Sequence, residues 1–226
     1  MSASLSFKRG DGVYGAPLMK FALTYDGELP SNGKVQDKWE IRKKLDPQLR
    51  ELWQVHPAAR AISEYRYIPL GTAYLPGSRH HSEAPVSQTV RVRPSIDLCE
   101  RVERGGRKFL PLIRERIGLR CGLKILFLRK EDPGGVYQGG DMDNRLKTLF
   151  DALAVPTNDQ IMADPTIEDP IHCLLEDDGL IAGLSVETQR LLSRPNASAR
   201  EVRLIIEVDV RVTHPRPYNE PFLGDL

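Results

Sequence analysis

The clearest pattern in the chain is a strict alternation near its end. From Val202 to Val212 the even positions Val202, Leu204, Ile206, Val208, Val210 and Val212 are apolar, and Arg203, Glu207, Asp209 and Arg211 fall between them. A period of two places the apolar set on one face, so the segment reads as a strand with one buried side. Met19–Tyr25 alternates well enough to be a second strand and runs into the turn-rich Gly27–Lys34. Leu123–Leu128 is a third. Asp37–Leu45 has helical spacing. Asp46-Pro47 then reads as an N-cap and first-turn proline opening a second short helix that buries Leu49, Leu52 and Trp53. Tyr65–Leu70 and Gln88–Val92 read as a hairpin around a long loop rich in Gly, Pro and Ser. Ser95–Ile117 reads as mostly helical, interrupted at Gly105-Gly106, with Phe109, Leu112 and Ile113 at core spacing. Strands and helices mix without a βαβ rhythm, which predicts an α+β class with a mixed β-sheet and packed helices.

The most unusual helix is spelled by GGDMDNRLKTLFDALAVP, Gly139–Pro156. At about 100° per residue, Leu146, Leu149, Phe150 and Leu153 form one apolar stripe, and Asp143, Lys147 and Asp151 form a charged strip beside it. Asp141 and Asp143 stand at the helix start. Capping and the helix dipole account for one aspartate, at about 0.3 to 1 kcal/mol. The second is less readily explained, because unit charges about 4 Å apart repel by about 4 kcal/mol at an effective dielectric of about 20. A divalent cation between them removes that repulsion. Capping and metal binding therefore both remain open for this helix. A second acidic knot, Glu176-Asp177-Asp178, precedes the apolar Leu180-Ile181. Three aspartates from two segments, with one nearby lysine, suit Mg²⁺-assisted phosphodiester chemistry. An EF-hand loop starting at Asp141 is excluded, since Leu146 stands where glycine is needed and Ala152 where glutamate is needed.

Composition adds limits. With 226 residues and 40% hydrophobic content the chain can build one core, and residues 19–212 are read as a single domain. Residues 1–18 and 213–226 are expected to be a flexible leader and tail. No window is apolar enough for a membrane span and the start lacks a signal-peptide core, so a cytoplasmic protein with no membrane partner is expected. Cys99, Cys121 and Cys173 lie far apart and read as reduced thiols. The net charge is +1, but it is unevenly spread. Residues 101–130 carry ten Lys/Arg against two Glu, and 131–180 carry twelve Asp/Glu against Arg145 and Lys147. Arg114, Arg116, Arg120, Arg129, Lys130 and Arg145 are the candidate phosphate contacts. The five histidines have no metal-ligand spacing and are expected at the surface or in loops, while Trp39 and Trp53 are expected in the core.

The motif D-x-D-N-x-x-K-x-x-x-D-A-L, here Asp141-Met142-Asp143-Asn144-Arg145-Leu146-Lys147 through Asp151-Ala152-Leu153, followed by Asp177-Asp178, resembles the RusA family of Holliday junction resolvases. The specific part spans about 127–181, with looser agreement at 19–32, including Pro30-Ser31-Asn32, and at 202–212. The resemblance implies a RusA-like fold and a homodimeric, Mg²⁺-dependent endodeoxyribonuclease, with Mn²⁺ as a substitute ion. Such an enzyme acts in DNA recombination and repair, cutting branched double-stranded DNA by paired nicks. It implies Asp141, Asp143 and Asp178 as metal ligands, Lys147 as the catalytic lysine, and Asp151 and Asp177 as supporting carboxylates. Relative to a minimal member, insertions are expected near 71–86 and 155–176, and the second brings Asp159, Asp164 and Asp169 as rival carboxylates. The alternative is a non-catalytic nucleic-acid-binding or assembly protein on the same scaffold, with an eroded or structural metal site.

Overall fold

The computed structural model describes residues 19–64, 67–69, 95–130, 141–192, 200–215, 219 and 222, with the backbone alone for Ala61, Glu64, 67–69, Ser95 and Asp141. The expected leader at 1–18, the Gln88–Val92 strand and the 71–86 insertion lie outside the described residues.

The main sheet has four strands in the order β1-β9-β6-β8: β1 (Met19–Glu28), β6 (Leu119–Arg129), β8 (Ile181–Arg190) and β9 (Glu201–Val212). β9 lies antiparallel to both β1 and β6, while β6 and β8 are parallel. The alternation in β9 does what its period requires: Val202, Leu204, Ile206, Val208 and Val210 are buried, facing Leu23, Tyr25, Leu123, Ile125 and Phe127 in one core. Two helices cover that face, α1 (Val35–Val55) and α3 (Asp141–Leu153), with α2 (Pro57–Glu64) against α1. A second sheet runs β4-β5-β7 (Val102–Arg104, Arg107–Ile113, Ile171–Leu175), and β2 (Tyr67–Pro69) pairs with β3 (Ser95–Asp97). The α+β class with a mixed sheet is therefore correct. No described helix is long and apolar enough to cross a membrane.

Three local expectations fail for physical reasons. Ser95–Ile117 is not helical: it forms β3, β4 and β5, and Gly105 and Gly106, at φ of +51° and +78°, make the turn between β4 and β5. All of Phe109–Ile113 is buried between neighbouring strands, and a continuous apolar run carries no period to tell strand from helix. Asp46-Pro47 does not start a helix either. α1 runs through it, with Pro47 on the exposed side and the Asp46 carboxylate buried. Asp46 Oδ1 accepts the His172 backbone N–H at 2.7 Å and lies 3.2 Å from His172 Nδ1, so His172 is a buried partner of Asp46 and not a surface residue. The expected flexible tail is anchored at two points: Phe222 is buried in the core, and the Asn219 amide donates to the Ile117 and His214 carbonyls at 3.0 Å.

Residues 155–176 form a closed excursion. The chain leaves at Ala154, which bridges Leu175, and the Val155 N–H donates to the Leu175 carbonyl at 3.0 Å. On the way it lays β7 alongside β5 and buries Ile167, Ile171 and Cys173 against Trp39 and Phe109. Arg107 clamps it with three bonds: Nε to Asp169 at 2.8 Å, Nη1 to the Asp164 carbonyl at 3.0 Å, and Nη2 to the Ile167 carbonyl at 2.6 Å.

Candidate active site

α3 is built as its stripe requires. Leu146, Leu149, Ala152 and Leu153 are buried, and Asp143 and Lys147 are exposed one turn apart. The helix is fixed by the turn after β1. The Gly33 N–H donates to Thr148 Oγ1 at 2.9 Å, and that hydroxyl donates to the Asn144 carbonyl at 3.0 Å. A Cβ at Gly33 would lie 2.3 Å from Thr148 Cγ2, so glycine is what allows the contact. Asn32, at φ +62°, turns the chain into it. Nothing in the sequence linked Gly33 to Thr148, which are 115 residues apart.

The second acidic segment reaches the same neighbourhood. Asp178–Leu180 forms a one-turn 3₁₀ helix that packs against α3 and β6, with Leu180 buried. Of its three carboxylates, two are committed. Glu176 Oε2 accepts the Glu115 N–H at 3.2 Å, and Asp177 Oδ1 accepts the Gly179 N–H at 2.9 Å as the cap of the turn. Asp178 is exposed and, like Asp143 and Lys147, its side chain forms no hydrogen bond or ion pair among the described residues. Asp151 departs from the charged strip drawn on the wheel: its Oδ2 pairs with Lys38 of α1 at 2.7 Å, and its carbonyl accepts from Arg42 at 2.8 Å.

The rival carboxylates of the excursion are occupied. Asp164 takes Trp39 Nε1 at 3.3 Å, Lys43 at 3.4 Å and the Thr166 hydroxyl at 2.6 Å, and the Thr166 side chain and N–H hold its carboxyl down to about 2. Asp169 takes Arg107 and the Lys108 N–H. Asp159 is held below the ordinary carboxylate range by Thr157.

The basic segment is also largely spent on structure. Arg114 is 3% exposed and donates to the carbonyls of Asp97, Leu98 and Glu100, so it has no surface for a phosphate. Burial pushes its pKa down, and Glu100, Glu176, Cys99 and Asp97 oppose that shift. Arg129 is likewise buried. Arg116 pairs with Glu100 at 2.9 Å and Arg120 with Glu115 at 3.0 Å, both near the surface. Lys130 is half-buried, and Arg145, a candidate phosphate contact, is buried.

Among the described residues no three His, Cys, Asp or Glu side chains converge closely enough to hold a metal ion, and the Asp141 side chain lies outside them. The available donors nonetheless have the right chemistry for Mg²⁺: Asp143 and Asp178 offer hard carboxylate oxygens not engaged elsewhere. A concavity of about 530 Å³ lies on the sheet face turned away from the core, where Lys124 pairs with Glu207 at 3.5 Å and Arg211 with Asp209 at 3.2 Å. No family model, curated protein or solved structure matches the chain.

Proposed function

We propose that the chain is a Mg²⁺-dependent endonuclease acting on branched DNA, as its RusA-like residues imply. One observation carries the reading. In a region where Asp151, Asp164, Asp169, Glu176 and Asp177 all have partners, Asp143, Lys147 and Asp178 are exposed and uncommitted among the described residues. Groups left without a partner are available to a ligand.

In this reading Asp141, Asp143 and Asp178 would hold Mg²⁺, which supplies Lewis-acid polarisation of a phosphodiester. Lys147, one turn from Asp143, would neutralise charge developing on the phosphate oxygens. The Gly33–Thr148 contact fixes α3, and with it both groups, to the sheet. Paired nicks in a four-way junction need two such sites, hence a homodimer.

The test is Asp143→Asn on a synthetic four-way junction with Mg²⁺ or Mn²⁺. Cleavage is expected to fall by at least about 100-fold with the circular dichroism spectrum unchanged, since losing a metal ligand removes several kcal/mol of transition-state stabilisation. Unchanged cleavage ends the assignment.

A further inference from the structure

In the turn after β1, Asn32 is the one asparagine of the chain that glycine follows; Asn144, Asn158, Asn196 and Asn219 precede Arg, Asp, Ala and Glu. Asparagine before glycine is the pair most open to attack by a backbone nitrogen on the side-chain amide, because glycine has no Cβ to shield its nitrogen or hinder the approach. Asn32 is exposed, and its side chain has no hydrogen-bond partner among the described residues, so its amide carbon is accessible.

The fold favours this labile pair. Asn32 sits at φ +62°, a conformation that asparagine and glycine tolerate better than other residues. A Cβ at Gly33 would lie 2.3 Å from Thr148 Cγ2, which keeps that position a glycine. The same neighbour governs the reactive atom. The Gly33 N–H donates to Thr148 Oγ1 at 2.9 Å, and the single hydroxyl proton of Thr148 goes to the Asn144 carbonyl at 3.0 Å. The attacking species is the Gly33 nitrogen after it has lost its proton. Deprotonated in place, that nitrogen would face an oxygen lone pair with no donor to stabilise it. Thr148 is 2% exposed, which keeps water from competing for the contact.

We propose that Asn32–Gly33 is a latent modification site, a deamidation site that the Thr148 hydroxyl holds closed and that reacts when α3 separates locally from the turn. In the open turn hydroxide removes the Gly33 amide proton, and the nitrogen bonds to Asn32 Cγ. The Cγ–Nδ2 bond breaks, and Nδ2 leaves as ammonia after taking a proton from water, which closes a five-membered succinimide. Water then adds to either ring carbonyl, and cleavage of that carbonyl's bond to nitrogen leaves aspartate or isoaspartate. Overall a water is consumed and an ammonia released, with no change of oxidation state. Either product adds a negative charge beside Lys34. Isoaspartate also routes the main chain through the side-chain methylene, and the lengthened turn no longer sets the Gly33 N–H against Thr148. Conversion therefore loosens the anchor of α3 irreversibly, whatever α3 binds or cuts.

Wild type, Thr148→Val, Thr148→Ser and Arg107→Ala are incubated at mildly alkaline pH. The proteolytic peptide carrying Asn32 is followed by mass spectrometry for a carboxylate in place of the amide and for isoaspartate. Valine keeps the shape of threonine and drops the acceptor, serine keeps the acceptor, and Arg107→Ala loosens the excursion without touching this turn. Wild type, Thr148→Ser and Arg107→Ala are expected to convert slowly compared with the urea-unfolded chain. Thr148→Val is expected to convert about threefold to tenfold faster than wild type, the factor that one hydrogen bond supplies. Folded wild type converting as fast as the unfolded chain overturns the proposal, and this comparison needs no variant. Thr148→Val at the wild-type rate, with its circular dichroism unchanged, overturns it too. Equal acceleration in Thr148→Val and Arg107→Ala also overturns it, since protection would then come from global stability and not from the contact. If Thr148→Val does not fold, amide exchange at Gly33 in wild type decides: a protected amide upholds the proposal, and exchange at the unfolded-chain rate overturns it.

Discussion

The excursion at 155–176 and the outer face of α3 are both rich in aspartate, and they use it in opposite ways. In the excursion each aspartate closes a local structure: Asp169 meets Arg107, Asp164 meets Trp39, Lys43 and Thr166, and Asp159 is held by Thr157. On α3, Asp143 and Lys147 stand in solvent one turn apart, each without a partner among the described residues. Asp151, four residues beyond Lys147 on the same strip, is instead tied into the structure by pairing with Lys38. An acidic cluster is thus a poor guide to function until its partners are known. The proposed function rests on the unpaired members alone.

The sharpest contrast pairs Asp143→Asn with Asp164→Asn. The first should remove cleavage and leave the melting temperature in place, and the second should lower the melting temperature and leave cleavage intact. Reversed results in a junction assay and a thermal scan would erase the distinction.

Next in size is Arg107→Ala, which releases three bonds at once and leaves the Asp164 and Ile167 carbonyls without their donor. It should cost about 2 to 4 kcal/mol in urea unfolding and loosen amide protection in β7 before β9. A loss under about 1 kcal/mol would mean that Trp39 and Phe109 hold the excursion without the clamp.

Gly33→Ala tests the anchoring of α3. The added methyl meets Thr148 Cγ2, so a loss of about 1 to 3 kcal/mol is expected. Thr148→Ser removes that methyl while keeping the hydroxyl, and in the double variant it should recover much of the loss. A purely additive pair would sever the proposed contact.

Asp46 supplies a pH signature for the tie between α1 and β7. Burial pushes its carboxyl up, but hydrogen bonds from the His172 ring and N–H, together with Arg50, outweigh this and hold it below the ordinary 3.8. A depressed folded value means the contribution is complete above the unfolded value and is lost as pH falls through the folded one. Urea midpoints of wild type and Asp46→Asn should therefore differ at pH 6, and the gap should shrink as pH falls below the ordinary carboxylate value. A gap that widens on acidification would contradict this.

The smallest effect is expected for Asp151→Asn, which removes one partly exposed ion pair. A change within about 1 kcal/mol in stability, with cleavage retained, would keep Asp151 out of the site. Lost cleavage would return it there.

Much of this arrangement was legible where one side of an element meets solvent. β9 and α3 each alternate between core and water, so their periods of two and 3.6 survive in the letters, and Trp39 and Trp53 fall in the core as expected. Legibility failed where both sides are buried, as in Phe109–Ile113, and where a polar residue is satisfied from far away. Asp46 has the letters of an N-cap, but its partner is 126 residues distant. The candidate site divides along the same line. The spacing of Asp143 and Lys147 is local and readable, whereas the Lys38 that takes Asp151 and the carbonyls that take Arg114 belong to other segments.

The way the excursion closes has a consequence for tracing kinship. Because it leaves at Ala154 and returns beside it at Leu175, a shorter ancestor could have acquired it without moving α3 or β8. The excursion is nonetheless written into distant positions, for Trp39 and Phe109 shelter it and Arg107 holds it. A chain without the excursion would lack the groups that Trp39, Phe109 and Arg107 contact across it. Positions 39, 107 and 109 are therefore the ones to compare when another carrier of the same excursion is sought.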